Sequence, residues 1–217
     1  MATVDRDALA SALLDRYGRT FAEEIGIPVE KNQPAPLFQL LVASLLFSAR
    51  IAAQNAAQAA RALIDAGLTT PRKMADATWQ QRVDVITWHG YKRYDESTST
   101  RLGQVAELCL DRYGGDLRRL RDEAGYDVGE EKRLLTEFKG IGPLGADIFL
   151  REIQLAWDEV YPYADDRILQ VAARLGLPDD TPGLAKLSRR RDFPRLVAAL
   201  MRVHLQKAYG EFERRAR

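Results

Sequence analysis

The sequence predicts an all-α protein, and three observations carry that prediction. Apolar residues recur at helical spacing along nearly the whole chain, no stretch alternates with the period of two that a half-buried strand needs, and proline and glycine punctuate the pattern at short intervals. Leu9, Leu13 and Leu14, followed by Phe21, space as one face of an amphipathic helix. Pro34 and Pro36 break the chain. Pro36 suits the opening turn of the next helix, whose Leu37, Leu40, Leu41, Val42, Leu45 and Leu46 make an apolar face wide enough for a central, largely buried position. Gly67 stops the alanine-rich helix from Ala52 to Ala66. Pro71 begins a short helix, and Thr78 caps another that runs to Trp88. Ser97 or Ser99 starts the helix carrying Leu102, Val105, Leu108 and Cys109, which ends at Gly114 and Gly115. Two short helices follow, from Asp116 to Glu123 and from Val128 to Phe138. Beyond Gly140-Ile141-Gly142 the pattern gives a helix from Pro143 to Ala156, a loop from Trp157 to Ala164, and a helix from Arg167 to Leu175. A long basic amphipathic helix from Asp192 to Arg214 closes the chain. Connections are short, with no fixed-period repeat and no low-complexity linker.

Composition narrows the function classes. The 217 residues suit one domain or two small lobes, and 46% hydrophobic with 29% charged residues is the balance of a globular protein rather than a disordered one. The longest near-continuous apolar run, Leu40 to Phe47, is far short of the roughly 20 residues that span a bilayer, so no membrane partner is expected. Met-Ala-Thr-Val-Asp-Arg has no apolar signal core, which makes the cytoplasm the expected compartment. A single cysteine, Cys109, excludes an internal disulfide framework and any metal or iron–sulfur site needing several thiolates. Two histidines argue against a histidine-rich metal centre. Cys109 and Met74 read as core residues.

The net charge of +1 conceals an asymmetry. From Lys186 to Arg217 ten basic residues face three acidic ones, a local +7 that leaves −6 for the rest. The segment reads either as a basic tail facing an anionic partner such as nucleic acid, or as an arginine-rich helix with a solvated face.

The sharpest local signal is Leu134-Leu135-Thr136-Glu137-Phe138-Lys139-Gly140-Ile141-Gly142-Pro143-Leu144-Gly145-Ala146-Asp147. Helix, Gly-Ile-Gly, helix is what a tight hairpin requires. Glycines permit positive φ and close approach of the backbone to another surface. Pro143 fits the first helical position, where its missing N–H costs nothing. Such a hairpin presents backbone N–H groups at a helix N-terminus, a seat for a phosphate that positions a protein on DNA without reading sequence. Alone, a Gly-x-Gly pattern reads first as a plain helix–turn–helix corner.

The segment resembles the helix-hairpin-helix motif of the endonuclease III-like DNA glycosylase superfamily, with Lys139 where proline is usual and Gly145-Ala146 in place of Thr-Ala. The resemblance continues upstream, where Phe38 to Arg50 looks like the family's early helix ending in Leu-Ser-Ala-Gln. His89-Gly90-Tyr91 stands where the family has a glycine-led loop that probes the duplex. Downstream, Ala164-Asp165-Asp166-Arg167-Ile168-Leu169-Gln170-Val171 looks like its Val-Asp-x-x-hydrophobic segment. Together these stretches cover Pro36 to Arg174.

The resemblance implies base excision from double-stranded DNA, with Asp165 as the catalytic carboxylate. Ile168, Val171 and Arg174 follow Asp165 in the family's register, which Asp166 fits less well; Asp165 lies 25 residues beyond Gly140, and the loop from Trp157 to Tyr163 accounts for a spacing slightly longer than usual. A carboxylate suits the reaction, because breaking an N-glycosidic bond develops positive charge on the sugar and the attacking water must lose a proton. Asp165 reads also as a helix N-cap, a compatible role. The DNA-binding residues implied are Gly140, Ile141, Gly142, Leu144 and Gly145 in the hairpin, with Arg50 and Tyr91 at the duplex-probing positions; the last two read equally as solvent-facing residues at helix ends. Trp88, His89, Trp157, Tyr161 and Tyr163 are candidates to line a base pocket or to pack ordinarily.

Departures from the pattern carry information. Relatives that also cut the strand hold a Schiff-base lysine where this chain has Leu144, which implies a monofunctional enzyme using water. The family's iron–sulfur cluster needs four cysteines, so no cluster and no required cofactor are expected, and the basic helix after Asp192 would supply phosphate contacts instead. Relatives hold a monovalent cation on hairpin carbonyls, here those of Thr136, Phe138 and Ile141. The implied architecture is a helical barrel over residues 31–156 and a second lobe from 1–30 and 157–217, with Asp165 in the cleft between them and a monomer as the working form. The alternative reading is a non-catalytic helix-hairpin-helix DNA-binding protein. Uracil, thymine mismatches, oxidised purines and alkylated bases all stay open as substrates.

Overall fold

The computed structural model describes residues 5–87 and 95–213. Trp88, His89, Gly90 and Tyr91 therefore lie outside the described residues, as do Arg214, Arg215 and Arg217. Among the described residues the secondary structure is entirely helical. The order is α1 (Arg6–Tyr17), α2 (Phe21–Ile25), α3 (Pro34–Phe47), α4 (Ala53–Asp65), α5 (Pro71–Asp76), α6 (Trp79–Thr87), α7 (Asp95–Tyr113), α8 (Arg118–Glu123), α9 (Val128–Leu135), α10 (Pro143–Ile153), α11 (Asp166–Arg174), α12 (Thr181–Ala185), α13 (Phe193–Gln206) and α14 (Tyr209–Glu213). Short 3-10 turns sit at Val29–Lys31, Asp158–Val160 and Arg190–Asp192. No helix among the described residues is long and apolar enough to cross a membrane.

The chain divides into two compact units, Ala22–Glu159 and the pair Met1–Phe21 with Val160–Arg217. In the first, α3 is the central helix, with Leu37, Phe38, Leu40, Leu41, Val42, Ala43, Leu45 and Leu46 all buried. It packs against α4 and α10, while α5 and α6 pack against α7. Caps fix the starts of the shorter helices. Thr70 accepts from the Lys73 N–H, and Thr78 and Gln81 exchange side-chain-to-backbone hydrogen bonds at the head of α6. The buried Arg82 guanidinium donates to the carbonyls of Met74, Ala77 and Ser99, tying α5, α6 and α7 together. Cys109 is fully buried on α7, and burial, with Asp116 nearby, pushes its thiol up to about 12.

Trp157 belongs to the core of this unit. Its ring is fully buried against Phe149 at 5.4 Å between centroids, and its indole N–H donates to Asn32 Oδ1 at 3.2 Å. That placement takes it out of the candidate pocket aromatics.

The second unit is built around α13, which packs against α1 and α11. Asp5 caps α1 by accepting from the Ala8 N–H, and Leu9, Ala10 and Leu13 turn inward. Gly18 ends α1, with its N–H on the Leu14 carbonyl at 2.8 Å, so Phe21 falls in the next helix rather than on the face set by Leu9 and Leu13. The expected single helix from Asp192 to Arg214 is two helices. Lys207 adopts left-handed φ of 56° and separates α13 from α14. α13 is amphipathic, with Phe193, Leu196, Val197, Ala199, Leu200 and Val203 buried at the centre of the unit. Arg195 donates to the Gly18 carbonyl and to Asp192, and Arg202 donates to the Arg19 carbonyl and lies over Phe21.

Candidate functional site

Two sites emerge, one in each unit. The first is the hairpin of α9 and α10. Asp127 caps α9 by accepting from the Glu130 N–H at 2.8 Å. The helix ends at Leu135, and the turn beyond it is held from inside by the fully buried Phe138, whose ring lies 5.9 Å from Tyr113. Lys132 on α9 pairs with Asp147 on α10 at 2.5 Å, clamping the two arms.

The glycines of the turn do three different things. Gly140 takes φ of +92°, and a Cβ there would sit 2.6 Å from Arg101 Cδ, so both conformation and space demand glycine. Gly145 is buried by close packing, where a Cβ would stand 3.0 Å from Ile141 Cγ2 and 3.6 Å from Ser48 Oγ. Gly142 needs glycine for neither reason. Its φ of −93° suits any residue, and nothing lies within 4 Å of where its Cβ would be. The missing side chain leaves an open face over the first turn of α10.

That face carries unmet donors. Ala146 is the first residue of α10 whose N–H reaches back along the helix, to the Gly142 carbonyl. Pro143 has no N–H. The N–H groups of Gly142, Leu144 and Gly145 meet no acceptor among the described residues. Leu144 is 51% exposed beside them. Ile141 faces the other way, with its side chain buried and its N–H on the Phe138 carbonyl at 2.9 Å. Arg50 is exposed two residues beyond Ser48, and Lys139 is exposed just before Gly140.

Beneath the hairpin lies a buried acid that the sequence did not disclose. Glu131 on α9 is fully buried, and neither of its oxygens meets a donor. Burial, and then the adjacent Glu159, push its carboxyl up to about 8. Burial acts to raise Glu159 too, but the hydrogen bonds of Arg121 and Glu131 outweigh it and hold Glu159 below its ordinary value. Raised in this way Glu131 keeps its proton above the ordinary carboxylate range, and its O–H can donate to the Glu159 carboxylate.

The second site is Asp165. Its side chain caps α11, Oδ1 accepting from the Arg167 N–H at 2.9 Å. Ile168, fully buried, anchors the helix behind it. On the near side Thr181 donates to the Ala164 carbonyl at 3.3 Å, and Tyr161 packs edge-on against Phe193 at 5.7 Å under Arg190. The half-buried Asp165 carboxylate is thus held by its own helix, while Thr181 and Phe193 hold the strap that precedes it. Asp166 is exposed.

No protein-family model and no curated protein matches the sequence. Solved structures do match. A non-covalent endonuclease III–DNA complex superposes with a TM-score of 0.51 and 19% identity, over 77% of this chain and 72% of the other. A trapped endonuclease III–DNA covalent intermediate, an estranged-adenine complex, gives 0.49 and 18% over 77% and 73%. The chain has the endonuclease III fold.

Within this endonuclease III fold the sequence-derived candidates take distinct places. Gly142, Leu144 and Arg50 are exposed; Gly140, also exposed, is held against Arg101; Ile141, Phe138 and Gly145 are inside. Thr136 is half-buried, its hydroxyl on the Arg133 carbonyl. Among the described residues no cluster of His, Cys, Asp or Glu could hold a metal ion. Sequence reasoning passed over Arg101, whose position on α7 reads as an ordinary solvent-facing one until the hairpin is folded against it.

Proposed function

We propose that this protein is a DNA glycosylase of the base-excision type, acting on a base flipped out of double-stranded DNA and using water rather than an enzyme amine. The observation that carries the reading is the open face of Gly142 with the unmet N–H groups of Gly142, Leu144 and Gly145, on a fold shared with a protein solved on DNA. Backbone donors at a helix N-terminus bind an anion, and a glycine with no internal purpose lets a phosphate come close.

Asp165 is assigned the chemistry. As the glycosidic bond breaks, the base departs with the bonding pair and positive charge grows on the sugar, where a carboxylate stabilises it. Water adds at the anomeric carbon and gives its proton to the same carboxylate. Capping holds that carboxylate in place, with its Oδ1 on the Arg167 N–H at the head of α11. Leu144, apolar at the hairpin, supplies no Schiff-base nitrogen, so strand cleavage is left out of the reaction. The hairpin turn also suits a monovalent cation on the carbonyls of Thr136, Phe138 and Ile141. The Phe138 oxygen takes the Ile141 N–H on one lone pair and keeps another. Such an ion would stiffen the turn and add positive charge beneath the phosphate.

The test is a panel of labelled duplexes, each with one lesion, with alkali as a separate step and Asp165→Asn alongside. Asparagine caps a helix as well as aspartate does, so the variant isolates the chemistry. Breaks that need alkali and vanish in Asp165→Asn establish the reading and name the substrate. Breaks without alkali identify a lyase. No breaks on any lesion, with duplex binding kept by both proteins, identify a DNA-binding protein without catalysis.

A further inference from the structure

Most cations around the hairpin are matched to an acid. Arg112 holds Glu123 and Glu137, Arg121 holds Glu159, Lys132 holds Asp147, and Arg133 holds Glu130 and Glu137. Arg101 breaks that pattern. It is exposed on α7, and among the described residues its guanidinium meets neither carboxylate nor carbonyl. It is nevertheless placed with care. Its stem crosses the Cα of Gly140, with Cδ, Cγ and Nε at 2.6, 3.3 and 3.4 Å from where a Cβ would stand. Only glycine lets the stem lie there. Lys139 is adjacent in sequence, and Ser48 on the other side of the hairpin brings Arg50 within two residues of the Gly145 contact. The acids of this region neutralise the surrounding cations and leave those at the turn unneutralised.

We infer that Arg101 is a phosphate-contact residue, laid across Gly140 so that its guanidinium clamps the DNA backbone beside the hairpin N–H groups. The inference rests on the DNA reading above and adds to it a side chain from a different helix. The chemistry fits. A guanidinium presents a planar fork of donors matched to phosphate oxygens, and a stem already resting on backbone gives up less rotamer freedom on binding than a free one. Backbone N–H groups alone hold a phosphate with partial charges; Arg101 adds a full one that no acid among the described residues offsets.

The experiment measures binding of the full chain to a short fluorescein-labelled duplex by anisotropy across a salt series. Arg101→Met keeps an apolar stem over Gly140 and deletes the charge; Arg101→Lys restores charge. Gly142→Asp caps α10 while closing the open face with a negative group, so it tests the hairpin separately. The expected result is weaker binding by Arg101→Met and a slope of log affinity against log salt shallower by about 0.9, the share of one phosphate on duplex DNA. Arg101→Lys should recover that slope, and all variants should melt like the parent. An unchanged slope in Arg101→Met overturns the inference and leaves Arg101 a packing stem, whatever Gly142→Asp does. Parent-like binding by Gly142→Asp overturns the hairpin reading instead, and a shallower slope in Arg101→Met would then still stand as a phosphate contact.

Discussion

The hairpin and α13 both carry arginine, and they spend it in opposite directions. On α13, Arg195 and Arg202 point into their own unit and hold the carbonyls of Gly18 and Arg19, the segment that leaves α1. Around the hairpin turn, Arg101, Lys139 and Arg50 are exposed, and no acid among the described residues meets them. The C-terminal segment has the larger excess of positive charge, yet the helix at its centre is a core element whose cations serve the fold. Availability of charge, then, depends on what stands opposite each cation and not on how many there are. Among the described residues of that segment Lys186, Arg189, Arg191 and Lys207 are turned to solvent, and Arg190, also exposed, lies over Tyr161.

The largest effect that would break this comparison comes from the buried side of α13. Leu200 is fully buried, and Leu200→Ala is expected to lower unfolding free energy by about 2–5 kcal/mol in urea titration. A change within about 0.5 kcal/mol, the usual range for a surface site, would return α13 to the surface and restore its arginines as DNA ligands. Next are the two hairpin glycines, which should separate stability from binding. Gly140→Ala forces a side chain into φ of +92° and onto Arg101, costing about 1–3 kcal/mol by thermal melting. Gly142→Ala should stay within about 0.5 kcal/mol of the parent and lose affinity for duplex DNA instead.

The two units should also respond to pH with opposite signs. Glu131 is raised in the folded state, so between about pH 4.5 and about pH 8 the native chain binds a proton the unfolded chain has lost. Stability of the hairpin unit is then fullest below that window and falls as pH rises through it, by at most about 1.4 kcal/mol per pH unit. Glu131→Gln, which mimics the acid, should flatten the dependence. His204 on α13 does the reverse. Arg167 donates to its Nε2 at 3.1 Å, leaving the proton on Nδ1 toward the Tyr209 hydroxyl, and burial, then Arg167 and Arg174, hold its pKa below 6.5. Its contribution is present above 6.5 and is lost as pH falls. Amide hydrogen exchange across pH 5–8, read separately in the two units, checks both slopes. The smallest expected effect is Arg195→Ala, a loss of about 1 kcal/mol in urea titration with an unchanged salt slope for DNA. A shallower slope would put Arg195 on the nucleic acid after all.

Much of the helical order was legible because its signals are local. Pro71 behind Thr70, Thr78 with Gln81 three residues on, and Gly67 after an alanine-rich run each mark a boundary within a single turn. Asp165 as a cap was legible for the same reason. What escaped depended on distant neighbours or on backbone that residue type does not announce. Lys207 in the left-handed region splits the C-terminal helix without a glycine to signal it. α12 is five residues long, too short for periodicity to register. Trp157 lies beyond the end of α10, where no helical face assigns it, and only Phe149 and Asn32 reveal it as core. Arg101 and Glu131 are ordinary charged residues until Gly140 and Glu159 are folded against them.

Cys109 gives the hairpin unit a built-in clock. The thiol is the chain's single one, fully sealed and held far from its thiolate form, so a thiol-alkylating reagent has nothing to attack while α7 stays in place. Each alkylated molecule therefore records one moment at which this half of the protein came apart. The rate of mass gain on incubation with the reagent, with and without DNA, times that opening.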